Sequence, residues 1–224
     1  MSSRPKIKAR GVVRAARRSI SVEDYLARRS VIECDIIDAA ASLFRKRGFA
    51  NVRMQDIGHA VGLSKAGLYH HCPSKESLLA DIVRLCGELL TIQLQSAQAL
   101  HKPPKERLKA FVVSRMESIA RHQDLFTIIW QERPFINRAD FSDIAKRAEA
   151  YRTGVRLIIE DAKNAGEISS SVNTHLLMLA LDGMTGWAYL WYRAGGAETP
   201  AQIGEAFWNF ISSGILASRN LPIQ

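Results

Sequence analysis

The chain has 224 residues, 47% of them hydrophobic, and a formal net charge of +9. That is enough apolar material for a substantial core in two units of unequal size. No stretch approaches the ~20 apolar residues of a membrane span and the start carries no apolar signal segment, which excludes a spanning or exported chain and predicts a cytoplasmic one with no membrane partner.

The excess charge lies at the N-terminus. Residues 1–30 hold nine Lys or Arg against two acids, 31–75 six against four, and 76–224 sixteen against sixteen. A basic third joined to a neutral two-thirds suits a chain of which one end meets a polyanion. The arm at 1–29 is expected to strengthen DNA binding by counterion release, which needs no fold of its own. Ser21 followed by Asp24 is a capping signature and predicts a short extra helix. Ser30 followed by Glu33 is a second one, after which Ile32, Ile36, Ala40, Leu43 and Phe44 trace one apolar face until Gly48.

Residues 56–79 read DIGHAVGLSKAGLYHHCPSKESLL, two short helices joined by a tight turn. Ile57, Ala60 and Val61 recur at helical spacing, Gly62 stands where a left-handed residue ends the run, and Ser64 caps a second helix. From Ser64 to His71 that helix offers Lys65, Ala66, Gly67, Tyr69 and His70 outward and leaves Leu68 to bury. Small residues mixed with hydrogen-bonding ones suit a helix that enters the major groove, with Gly67 permitting close approach. Arg53, Lys65, Tyr69 and Lys75 are the candidates for phosphate contact. Pro73 stops the helix and Ser74, with Ser77, begins another. His70, His71 and Cys72 are adjacent and diverge by about 100° each on a helix, so no metal site is expected there. Cys34, Cys72 and Cys86 are odd in number and lack paired metal spacing, which predicts reduced thiols. No cofactor is expected.

The rest of the chain is helical in pattern. A long helix is predicted from Ser74 to about Ala99 as the link between the units, and another from Pro103 and Pro104 to Arg121. A short one follows from Asp124 to near Glu132, where Pro134 breaks the chain; a further one runs from about Asp140 to Ala165, closed by Gly166. Two last helices are expected at 172–193 and 200–219. These two are apolar over several faces, with Leu176, Leu177, Leu179, Met184, Trp187 and Leu190 on one and Phe207, Phe210, Ile211, Ile215 and Leu216 on the other. Such surface is either ordinary core or an interface with a second copy.

Aromatic residues crowd the C-terminal unit, and Phe126, Trp130, Tyr151, Met184 and Trp187 are its candidate ligand contacts. Arg133, Arg152 and Arg156 lie near these apolar segments, where a planar cation can hold a carboxylate or phosphate. An enzyme is not expected, because no nucleophile, base and orienting group can be placed together. A purely architectural DNA-binding protein would share the basic end but has no need of a large neutral aromatic unit.

The segments IIDAAASLFRKRGF at 36–49, the two-helix unit, and LYHHCPSKESLL at 68–79 together resemble the N-terminal domain of the TetR family of bacterial transcriptional regulators. Two departures stand out: Val52 and Arg53 replace the Thr or Ser that usually caps the first helix of the motif, and Cys72 replaces the usual aromatic residue before Pro73. The resemblance implies an all-α homodimer, with an N-terminal three-helix helix-turn-helix domain at 30–75 and a larger helical ligand-binding and dimerisation domain at 76–224. It implies a repressor of a palindromic operator on double-stranded DNA, released by a small-molecule effector. The segment GWAYLWYRAGGAETPAQI at 186–203 is similar to TetR regulators of fatty-acid and other acyl-CoA catabolism. An acyl-CoA or long hydrophobic acid is therefore the leading effector. It stands ahead of a cationic drug, for which more acids than Glu132, Glu160 and Asp182 would be expected.

Overall fold

A computed structural model describes residues 29–132, 135 and 138–215. The basic arm before residue 29, the signature at Ser21 and Asp24, Arg133 and Leu216 lie outside the described residues. Helix α1 spans Val31–Arg47 and opens on the expected capping box: the Ser30 N–H donates to the Glu33 carboxylate at 2.8 Å, and the Glu33 N–H returns to the Ser30 hydroxyl. A single 3-10 turn, Phe49–Asn51, leads to α2 (Met54–Ala60) and α3 (Lys65–His71). Gly62, at φ +70°, makes the turn between α2 and α3, and the Leu63 N–H returns to the Gly58 carbonyl at 2.9 Å. A side chain at Gly58 would place its first carbon 3.1 Å from the Leu63 carbonyl oxygen, which is why the two helices can cross this tightly.

Helix α4 (Lys75–Gln98) starts at Ser74, whose hydroxyl accepts from Ser77, and runs the length of the molecule. It is followed by α5 (Pro104–Arg121), α6 (Gln123–Gln131) and α7 (Arg138–Asn164). The C-terminal helices are α8 (Thr174–Gly186), α9 (Ala188–Trp191) and α10 (Pro200–Ile215). The one helix expected at 172–193 is thus two. The two meet at Trp187, whose backbone stays right-handed helical, and the Gln123 amide donates to the carbonyls of Tyr189 and Tyr192 at 2.6 and 3.1 Å, satisfying the end of the short helix from outside it. Among the described residues no helix is long and apolar enough to cross a membrane.

One apolar cluster joins Ile36 and Phe44 of α1, Ile57 of α2 and Leu68 of α3 to Leu79 and Leu89 of α4, Ile119 of α5 and Ile128 of α6. A second gathers Leu94, Leu108, Phe111, Ile158, Leu177 and Trp208 at the far end. The expected boundary after residue 75 is therefore the start of a helix within a continuous core, since α4 is packed against both units. An Arg45–Asp124 ion pair ties α1 to α6 as well.

Candidate nucleic-acid interface and effector cavity

In α3 the Ser64 hydroxyl accepts the Gly67 N–H at 3.1 Å, fixing the first turn of a helix of seven residues. Leu68, 1% exposed, anchors it to the core, and Ser64, Lys65, Ala66, Tyr69 and His70 are exposed, with Gly67 half-buried between them. Arg53 is exposed too. Its backbone N–H donates to the Asp56 carboxylate at 2.8 Å, so Asp56 supplies the return half of a capping box and Arg53, which has no acceptor, leaves the forward half unmade. The missing hydroxyl at this cap is thus half compensated, and the Arg53 guanidinium has no carboxylate partner among the described residues.

Lys75 faces the other way. Its ammonium donates to the carbonyls of Phe49 and Val52 at 2.8 and 2.9 Å and stands 4.3 Å from the centre of the Phe49 ring. Two of its three ammonium protons therefore brace the fold, and a phosphate contact at Lys75 would use the third. Cys72 is buried in the first cluster, where burial pushes its thiol pKa up and the neutral S–H donates to the Ser74 carbonyl at 3.0 Å. It fills the place of an aromatic plug with less volume.

Tyr69→Ala and Lys65→Ala are each expected to weaken operator binding by about 1–3 kcal/mol, the size of a lost base or phosphate contact, with no change in fold because neither side chain is buried. Fluorescence anisotropy at fixed salt measures this. Unchanged affinity in both variants would remove α3 from the groove.

A second feature opens between α4, α6 and α7. It is a small cavity of about 100 Å³, partly open to solvent, lined by Val83, Gly87 and Leu90 of α4, Ile129 of α6, and Ile144, Ala148 and Tyr151 of α7. Its charged lining consists of Arg84 and Arg147. Both arginines are held by carboxylates: Arg84 meets Asp81 at 2.9 Å and Asp143 at 3.5 Å, while Arg147 meets Asp143 at 2.9 Å and also pairs with Glu88. The hydrogen bond from Arg147 holds the Asp143 carboxyl below the usual carboxylate range. These pairs stitch α4 to α7 beside the cavity.

Of the ligand contacts expected from sequence that fall among the described residues, Tyr151 is the one that lines this cavity. Phe126 is 2% exposed in the first core cluster. Trp130 is half-exposed and stacks on Tyr189, with its ring edge 3.0 Å from where a side chain on Gly186 would begin. Trp187 is exposed and meets Tyr189 edge-on, and Met184 packs on the second cluster. Arg152 is exposed and paired with Glu149 at 2.6 Å, and Arg156 is exposed as well. They sit on the outer side of α7, and the arginines that reach the cavity are ones the sequence reading passed over. Ile144, Arg147, Ala148 and Tyr151 follow i, i+3, i+4, i+7 spacing, a signal present in the chain that marks them as one face of α7.

A third surface lies on the C-terminal helices. Leu176 and Leu179 of α8, Leu190 of α9 and Phe210 of α10 are 61%, 53%, 56% and 71% exposed. Large apolar side chains exposed on three C-terminal helices are what an interface between subunits presents before it is covered.

Comparison with known proteins places these features in context. Residues 36–82 match the model described as bacterial regulatory proteins, tetR family, and residues 101–215 match the tetracyclin repressor-like C-terminal domain. The chain is 25% identical over 187 residues to the HTH-type transcriptional repressor KstR2 of Rhodococcus jostii (strain RHA1), covering 83% of this chain and 92% of that protein. The structure of the ketosteroid transcriptional regulator KstR2 of Mycobacterium tuberculosis shares the fold at a TM-score of 0.76 and 23% identity, over 84% of this chain and 96% of that one. AibR in complex with isovaleryl coenzyme A and operator DNA superposes at a TM-score of 0.72 and 28% identity, over 80% of this chain and 97% of that one.

Proposed function

The chain belongs to the tetR family of bacterial regulatory proteins and is a ligand-responsive DNA-binding repressor; from that premise we propose that an anionic, largely apolar molecule of the acyl-CoA type is its effector. One observation carries this reading. The cavity is lined by apolar side chains together with Arg84, Arg147 and Tyr151, and it opens on α4, the helix that continues directly from the DNA-binding unit at Lys75. An apolar chain suits Val83, Leu90, Ile129 and Ile144, and phosphate or carboxylate oxygens suit the two guanidinium groups. AibR, with isovaleryl coenzyme A named in its complex, supports the class.

Residues 30–75 would serve as the DNA-binding domain and 76–224 as the effector and dimerisation domain, with the arm at 1–29 adding charge attraction to any duplex. Ser64, Lys65, Ala66, Gly67, Tyr69 and His70 would face the major groove, and Arg53 would hold a phosphate. The exposed leucines of α8 and Phe210 of α10 would pack against a second copy, giving a homodimer whose recognition helices lie one turn of DNA, roughly 34–36 Å, apart. An anion at Arg84 and Arg147 competes with Glu88 and Asp143 for the same donors and so loosens the α4–α7 seam. Release then follows from tighter binding to the conformation whose helices no longer match successive grooves; equal affinity for both would switch nothing.

The test is a titration of the complex with a palindromic operator, recovered by selection from random DNA. The titrants are acyl-CoA thioesters, the matching free acids, and uncharged esters. Release by thioesters and not by uncharged esters is the expected result, and Arg84→Gln together with Arg147→Gln should raise the concentration needed at least tenfold. Release only by cationic aromatic compounds would overturn the reading.

A further inference from the structure

Helix α4 has a cavity on each of two opposite faces. Val83, Gly87 and Leu90 turn to the effector cavity, while Leu85 and Leu89 line a second gap of about 170 Å³ between α4, α1 and the corner where α5 gives way to α6. Ile37 and Cys34 of α1 and Leu125 of α6 continue its apolar wall, and Asp38 and His122 complete it. Asp38, His122 and Leu125 also line a neighbouring opening beside the Arg45–Asp124 pair, so these three residues stand where the two spaces meet. Arg29 lines the gap as well, but it precedes Asp38 by roughly 13 Å along the direction of α1 and marks the opposite end.

Two polar side chains at the junction have no partner. Among the described residues the Asp38 carboxylate and the His122 ring make neither a hydrogen bond nor an ion pair, whereas Asp124 is taken by Arg45. Partial burial, and then the carboxylates of Asp35 and Asp124, push the Asp38 pKa up, so a cation placed beside it would offset all three. Burial and the charge of Arg121 push the His122 pKa down, which leaves a neutral imidazole at neutral pH, with one nitrogen free to accept. The junction therefore offers two acceptors to a charged donor, next to an apolar wall. A volume of about 170 Å³ holds about six non-hydrogen atoms, taking roughly 30 Å³ for each.

We propose that this seam is a second small-molecule site, taking a primary monoamine of about four to six carbons whose ammonium group sits between Asp38 and His122 and whose tail lies along Ile37, Cys34, Leu85 and Leu89. The site is separate from the effector cavity and does not rest on the effector reading. A diamine is rejected because its second charge would enter the apolar wall on the side of Arg29, and an alcohol of the same shape brings no charge to Asp38. Occupancy ties α1 of the DNA-binding unit to the α5–α6 corner of the C-terminal domain.

Cys34 supplies a local readout, because it is half-buried in the wall while Cys72 and Cys86 are buried elsewhere. The full-length protein is incubated near neutral pH and at constant ionic strength with 3-methylbutylamine, 3-methylbutanol or 1,5-diaminopentane, and alkylation of Cys34 by iodoacetamide is followed by peptide mass spectrometry. The monoamine is expected to slow alkylation about fivefold and to raise the melting temperature by about 3 °C at a concentration ten times its dissociation constant; the alcohol and the diamine should do neither. Asp38→Asn, which removes a charge that has no partner, should fold as the wild type does and lose both effects. Equal protection by amine and alcohol would overturn the proposal, as would protection that survives in Asp38→Asn. The melting temperature decides independently of how reactive Cys34 is: no rise with the monoamine in the wild type, or the same rise in Asp38→Asn, removes the site.

Discussion

Lys75→Met is expected to destabilise the protein by about 2–4 kcal/mol, because the ammonium makes two charge-assisted hydrogen bonds, to Phe49 and Val52, that methionine cannot replace. For a chain of this length that corresponds to a fall in melting temperature on the order of 10 °C. Lys75 lies beside the recognition helix in sequence, and a phosphate contact is the natural assumption. The two roles separate by salt dependence. A lysine on a phosphate contributes about one unit to the slope of log affinity against log salt, so its loss makes that slope shallower. A lysine that braces the turn between α1 and α2 leaves the slope as it was and lowers affinity only by loosening the domain. The expected outcome is a large thermal shift with an unchanged slope; a shallower slope with an unchanged melting temperature would return Lys75 to the DNA.

Glu132→Ala is the second substitution with a large expected effect. Glu132 is 8% exposed at the end of α6, and its Oε1 accepts the Phe49 N–H at 3.1 Å across 83 residues of sequence. The Phe135 ring lies 5.2 Å from the Phe49 ring on the same side. Phe49 is thus held by α6 from one direction and by Lys75 of α4 from another. Ile129, one turn before Glu132, lines the effector cavity, so a single helix touches both the cavity and the turn that positions the DNA-binding helices. Alanine leaves a buried backbone N–H unpaired, at a cost of about 1–3 kcal/mol, whereas Glu132→Gln keeps an acceptor and should recover most of it. The ratio of operator affinities without and with the best-releasing thioester should shrink in Glu132→Ala and be restored in Glu132→Gln. An unchanged ratio would show that α6 does not carry the signal.

The DNA-binding unit was legible in the chain because the signals there are local. Ser30 with Glu33, Gly62, Ser64 and Ser74 act within one helical turn, and each forms the predicted cap or turn. The exposed set on α3 follows from the burial of Leu68, which a spacing of three or four residues already implies. The candidate effector cavity was less legible. Arginine and aromatic content picked out Arg152, Arg156, Phe126 and Trp187, yet composition does not say which side of a helix faces inward. Arg147 and Arg152 sit five residues apart on α7, and only the packing of that helix against α4 turns one to the cavity and the other to solvent.

By itself, then, the sequence determined the helical class, the order of the helices, the caps at Ser30, Ser64 and Ser74, and the exposed face of α3, because these depend on contacts between near neighbours and on a periodicity that one helix carries alone. Tertiary structure decided the rest. It turned Lys75 inward onto two carbonyls, closed the end of α9 with the Gln123 amide, and set Arg84 and Arg147 beside one cavity from separate helices. It also buried Arg115 where it donates to the Tyr151 hydroxyl and pairs with Asp182. Each of these joins residues that are distant in the chain, and a contact of that kind exists only once the helices have packed and chosen which faces meet.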